Sequence, residues 1–154
     1  MIVFIPFKHK GTMEHFVVDY ADYKTASELK WHTIKTGYIV HTLYRGGNIL
    51  LHRFLMKPEK GMVVDHIDHN PRNNRRSNLR VCSVSQNQKN RKARRHTRSG
   101  LKGATYNKVS KRWQSLIRVD DRQMSLGYFD TPEEAHEAYC EAAKKYNGEF
   151  ACFG

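Results

Sequence analysis

The chain is 154 residues long and carries 27 Lys or Arg against 15 Asp or Glu, a formal net charge of +12. Seven Phe, eight Tyr and two Trp are spread along it. That excludes a disordered polyelectrolyte despite a mean hydropathy of −0.74, leaves room for one domain or two small ones, and makes a polyanion the expected partner.

Met1 to Phe7 is apolar but contains Pro6 and runs into Lys8, His9 and Lys10. It lacks the charged start and long apolar run of a signal peptide, and no stretch approaches membrane-spanning length, so no membrane partner is expected. Residues 2–7 read as an edge strand and Phe16-Val17-Val18 as a short strand. Asp19 is placed to cap a helix from Tyr20 to Lys30, with Tyr23, Ala26 and Leu29 at helical spacing. Trp31–Lys35 and Tyr38–Tyr44 read as strands parted near Gly37. After the Gly46-Gly47-Asn48 turn, Ile49–Met56 reads as a helix or a strand-to-helix junction that Pro58 ends.

Gly61–His66 reads as a strand with polar groups at its end, 70–78 as a loop, and Leu79–Cys82 as a second strand. Ser83 or Ser85 can cap a helix running through Gln88 toward Lys92. From His69 through Val119 there is no Asp or Glu but fifteen Lys or Arg. A one-signed block of that length argues for phosphate neutralisation. Inside it, residues 93–100 have no periodicity and read as a basic linker. Beyond Leu101 the pattern becomes three strands, at about 102–107, 112–119 and 122–129, with Asp120-Asp121 turning between the last two. Trp113, Ser115 and Ile117 share one face; Gln114, Leu116 and Arg118 share the other. Thr131-Pro132-Glu133-Glu134 starts a helix with an apolar stripe of Ala135, Ala138, Tyr139, Ala142 and Tyr146, which Gly148 stops. Cys82, Cys140 and Cys152 form no C-x-x-C pair. Neither a disulfide framework nor a cysteine zinc site is expected, and reduced thiols in a cytoplasmic setting fit.

The densest chemistry lies in Val64-Asp65-His66-Ile67-Asp68-His69-Asn70, Asn73-Asn74, Asn78-Leu79-Arg80 and Ser85-Gln86-Asn87. Phosphodiester hydrolysis needs a nucleophilic water, charge stabilisation at phosphorus and help for the departing oxygen. Asp65 is a hard oxygen donor suited to Mg²⁺ or Mn²⁺, and the Asn87 carboxamide could be a second ligand. His66 can take a proton from the attacking water, and Asn78 could orient its ring through a carbonyl–N–H bond. Asn70, Asn73 and Asn74 fit side-chain turns within the loop. His52 and His69 fit packing or phosphate contact. A zinc trio of His66, His69 and Cys82 lacks a fourth ligand.

Together with Leu51-His52-Arg53, these blocks resemble the HNH homing-endonuclease family of phages and mobile introns over about residues 15–92. The resemblance implies an α+β fold whose first module, residues 1–92 with a core at about 62–92, is a ββα-metal (His-Me finger) nuclease. It implies one divalent ion per site and nicking or double-strand cutting of double-stranded DNA in a host cytoplasm. By position, Asp65 and Asn87 correspond to the metal ligands, His66 to the general base, and Asn78 to the central asparagine that orients it. The family usually has glycine where His69 stands, so a little loop strain is expected there.

The second half resembles the Apetala-two/ethylene-response-factor DNA-binding domain over about residues 100–150. The matching residues are Gly103, Trp113, Ile117, Arg118, Leu126-Gly127-Tyr128-Phe129-Asp130-Thr131, Glu133-Glu134-Ala135 and Ala138-Tyr139. It implies a module at 101–154 in which a three-stranded antiparallel sheet, packed on one helix, enters the major groove. The outward face would hold Lys102, Thr105, Gln114, Leu116, Arg118, Gln123 and Ser125, with Trp113 packed toward the helix. Expected DNA contacts are Arg72, Arg75, Arg76, Lys89, Arg91, Lys92, Arg94 and Arg95 on phosphates, and Lys102, Gln114, Arg118 and Gln123 from the sheet. No obligate protein partner is evident. The alternative is a non-catalytic DNA-binding regulator of the same type. An RNA-directed protein fits less well, because the open sheet face lacks a platform of stacked aromatics.

Overall fold

Alternating apolar residues at the N-terminus build a full hairpin rather than two short strands. β1 (Ile2–His9) pairs antiparallel with β2 (Thr12–Asp19), turning Phe7, Phe16 and Val18 inward. The structure is a computed structural model describing residues 1–93, 98–120 and 122–154. It divides into two compact units, Met1–Val84 and Ser85–Gly154.

In the first unit α1 covers only Tyr20–Ser27, and Asp19 makes no cap bond to it. The Asp19 carboxylate accepts instead from the Arg76 backbone N–H at 2.8 Å. The helix stops short of Lys30 where the Trp31 indole donates to the Ala26 carbonyl at 2.6 Å. β3 (His32–Thr33), β4 (Ile39–Thr42) and β5 (Asn48–Leu50) form a sheet in that order. β5 runs directly into α2 (Leu51–Met56), the expected junction. Leu51 and Leu55, one turn apart, close a core of Phe7, Phe16, Val18, Ala26, Trp31 and Ile39. β6 (Val63–His66) and β7 (Leu79–Cys82) make a two-stranded antiparallel ladder that carries the 67–78 loop.

The division between the units falls inside α3 (Val84–Lys89), which ends before Lys92. In the second unit β8 (Ala104–Asn107), β9 (Arg112–Val119) and β10 (Arg122–Phe129) pair antiparallel in the order β10-β9-β8. α4 (Pro132–Asn147) starts with the full capping box at Thr131 and Glu134. It packs Tyr139, Ala142 and Ala143 on Ile117. Gly103 sits under Tyr139 so closely that a Cβ there would lie 2.2 Å from the ring, so only glycine fits. The expected Asp120-Asp121 turn lies partly outside the described residues, as do Arg94 and Arg95 of the linker. Among the described residues no helix is long and apolar enough to cross a membrane.

Candidate active site

The β6–β7 register sets Asp65 directly opposite Arg80. Opposed residues of an antiparallel pair share a face, and Arg80 donates to Asp65 Oδ2 from Nη2 at 2.8 Å and Nε at 3.0 Å. Both side chains are close to buried, at 9% and 11% exposure. A carboxylate taken out of water needs a positive neighbour, and Arg80 is that neighbour.

Between the strands, the loop is organised by Asp68. Its carboxylate accepts from the Asn70 backbone N–H (2.8 Å), Asn73 Nδ2 (2.7 Å) and Asn78 Nδ2 (2.8 Å). Burial pushes the Asp68 pKa up, but these donors outweigh it and leave the group below its ordinary range. Asn78 closes the loop: its Oδ1 accepts from Asp68 N at 3.1 Å, and its Nδ2 also donates to the Asn73 carbonyl at 2.8 Å. Asn78 therefore does not bond the imidazole as expected. It shapes the backbone that follows His66. Asp68 was left without a role by sequence reasoning, although the Asp68-x-Asn70 and Asn70-x-Arg72 spacings are those of Asx-turns, and both turns form. His69 takes φ of 61°, left-handed backbone that a glycine would adopt without strain.

β2 fixes this loop in place. Val17 N–H donates to the Arg72 carbonyl and Asn74 N–H to the Val17 carbonyl, both at 2.8 Å. Arg72 pairs with Glu14, and Arg76 grips the buried Asp22 from Nε at 2.9 Å and Nη2 at 2.7 Å. Two arginines expected on DNA phosphates are thus occupied by carboxylates distant in sequence. Among the described residues the Arg75 side chain bonds only the Asn73 carboxamide, at 2.8 Å.

The imidazole partner that sequence reasoning missed is Asn74, which is fully buried. Its Nδ2 donates to the Pro71 carbonyl at 3.1 Å, which turns Oδ1 toward His66 Nε2 at 3.3 Å. An amide oxygen only accepts, so Nε2 carries the proton and a neutral ring has its lone pair on Nδ1. Burial lowers the His66 pKa, partly opposed by the Asn74 bond and by Asp68 and Asp65. His52 on α2 lies edge-on to His66, with centroids 4.9 Å apart at 68°. Burial, then His66, then Arg53 lower the His52 pKa to about 3. His52 therefore packs as a neutral ring, one of the two roles expected for it.

A family profile for HNH endonucleases matches residues 57–89, the stretch that spans β6, the loop and β7. An uncharacterised HNH endonuclease of Acanthamoeba polyphaga mimivirus is 33% identical over 149 residues, covering 92% of this chain and 74% of its own length. The chain belongs to the HNH endonuclease family. Protein 3.8 of Escherichia phage T7 is 32% identical over 94 residues, covering 61% of this HNH endonuclease and 77% of its own length. No solved structure matches it.

HNH nucleases generally depend on a divalent metal. A carboxylate such as that of Asp65 is the kind of hard donor such an ion takes, and in this structure Arg80 is the cation that balances it. Asn87 is half-buried on α3, in the second unit. Among the described residues no group of three His, Cys, Asp or Glu could hold an ion, so the zinc trio of His66, His69 and Cys82 does not assemble. In the second unit of this HNH endonuclease, Lys89, Arg91, Lys92, Lys102 and Arg118 line one hollow of about 600 Å³. Lys102 is half-buried: its Nζ donates to the Lys89 carbonyl at 2.7 Å and lies 5.7 Å from the Tyr139 ring centre. Gln114, Arg118 and Gln123 do share the outward face, with Gln114 donating to Ser125 at 3.1 Å and Arg118 opposite Gln123. A bulge between Ser125 and Gly127 shifts the register and sets Tyr128 opposite Gln114, adding an exposed aromatic that strict alternation hides. Trp113 packs edge-on to Tyr106 at 5.2 Å.

Proposed function

We propose that this HNH endonuclease is of the homing type and hydrolyses double-stranded DNA, with His66 as general base and Asp65 and Asn87 as metal ligands. The observation that carries this reading is the imidazole itself. It is buried, held neutral, and has its proton on Nε2 through Asn74, one residue from a buried carboxylate. His66 Nδ1 takes the proton of the attacking water. Asn78 and Asp68 keep the loop rigid, so the base stays at one distance from the phosphate. When bound, Mg²⁺ or Mn²⁺ supplies neutralisation of the phosphate charge.

In this reading the nuclease module adopts the ββα-metal arrangement around residues 62–92. A basic linker at 93–100 leads to an Apetala-two/ethylene-response-factor-like sheet at 101–154, which lays Gln114, Arg118 and Gln123 on base edges or phosphates. The protein acts in a host cytoplasm. Relaxation of supercoiled plasmid, with Mg²⁺ against chelator, tests it. His66→Ala is expected to bind DNA as before and to nick about 10²–10⁴-fold more slowly. Nicking at the parental rate by that variant, or undiminished nicking in chelator, refutes it.

A further inference from the structure

We propose that Tyr38 and His52 are positioning residues for His66, holding its ring plane by aromatic contact so that Nδ1 points at the substrate; this rests on the general-base reading above. The hydrogen bond from His66 Nε2 to Asn74 Oδ1 is long at 3.3 Å. A bond of that length leaves rotation about the Cβ–Cγ axis weakly constrained. Two rings, His52 and Tyr38, restrict that rotation together. His52 meets His66 at 4.9 Å and 68°, Tyr38 meets His66 at 5.9 Å and 51°, and Tyr38 meets His52 at 5.2 Å and 42°. The His52–His66 pair is edge-to-face and the two Tyr38 pairs are tilted, and aromatic pairs have preferred angles, unlike aliphatic packing.

The fold spends three separate elements on this arrangement. His52 is 5% exposed on α2, a helix whose Leu51 and Leu55 are already committed to the core. It makes no hydrogen bond to any described residue, so its polar nitrogens do not explain its burial, whereas its ring contacts do. Tyr38 follows Gly37, whose φ of +85° and whose approach to Pro71, where a Cβ would lie 3.1 Å from Cγ, bring the β3–β4 turn against the site loop. His66 itself ends β6.

The test compares His52→Leu, His52→Phe and Tyr38→Leu in steady-state nicking over a range of DNA concentrations, with His66→Ala as control. Melting temperature and the His66 Hε1 proton shift are followed in parallel. His52→Leu is expected to lower kcat by about 10–100-fold with KM for DNA little changed. It should also move the Hε1 resonance as the ring current is lost. His52→Phe, which restores an aromatic edge, should recover most of the rate. An unchanged kcat in folded His52→Leu, or a His52→Phe as impaired as His52→Leu at equal melting temperature, overturns the proposal. Should His52→Leu fail to fold, the more exposed Tyr38→Leu takes its place, with a smaller loss in kcat expected and an unchanged rate overturning the proposal. If His66→Ala nicks normally, the general-base reading fails instead, while an Hε1 shift that stays put on His52→Leu overturns the clamp independently.

Discussion

The loop between β6 and β7 and the outward face of β9 and β10 are both cationic by sequence, yet they use their charges in opposite ways. In the loop region Arg72, Arg76 and Arg80 each meet a carboxylate, from Glu14, Asp22 and Asp65. On the sheet, Arg118 is exposed and has no ion-pair partner among the described residues. A stretch that lacks acids in sequence is therefore not acid-free in space. The N-terminal hairpin and α1 bring carboxylates to its first half and turn arginines into braces of the site. Of the loop arginines, Arg75 alone meets no carboxylate among the described residues, and it stays available for phosphate as Arg118 does on the sheet.

This contrast can be broken by substitution. Arg76→Ala strips the partner from buried Asp22 and a brace from the site loop. Because the guanidinium is 54% exposed, solvent moderates the loss to about 1–3 kcal/mol, measured by urea unfolding. No destabilisation would mean that the loop arginines are as available as those of the sheet.

Acid should act on the site region next. His52, lowered to about 3 from 6.5, and His66, also lowered, refuse protons that the unfolded chain accepts. The stability they contribute is complete above about pH 6.5 and is lost as the pH falls toward about 3. Urea midpoints between pH 7 and pH 4 should fall accordingly, and less so in His52→Phe.

Arg118→Ala sharpens the comparison from the other side. Unfolding should stay within about 0.5 kcal/mol of the parent, while DNA affinity falls and the slope of log affinity against log salt drops by about 1. The smallest effect belongs to His69→Gly. Releasing the left-handed backbone at φ 61° should stabilise the protein by about 0.5–1 kcal/mol without changing DNA affinity.

Much of this was legible in the residues. The strand, loop and strand around Asp65 and His66, the capping box at Thr131 and the two faces of β9 are local consequences of alternation, turn chemistry and side-chain hydrogen bonding over a few positions. Those forces act between near neighbours, so spacing reveals them. The hairpin of β1 and β2 was harder to read, because Pro6 and the polar residues of β2 interrupt the apolar pattern. Tyr128 was hidden by a bulge, since one inserted residue reverses every face assignment after it.

By itself, the sequence determined which chemical groups are present near Asp65 and His66, and that the chain belongs among HNH endonucleases. Tertiary structure alone decided that Asn74 rather than Asn78 orients the imidazole, that Asp68 ties the loop, and that Arg72 and Arg76 brace it. Each of these choices depends on partners far away along the chain or on which side of a turn a carboxamide faces. Such preferences are set by burial and by the need to pair every buried polar group, neither of which exists until the chain has closed on itself.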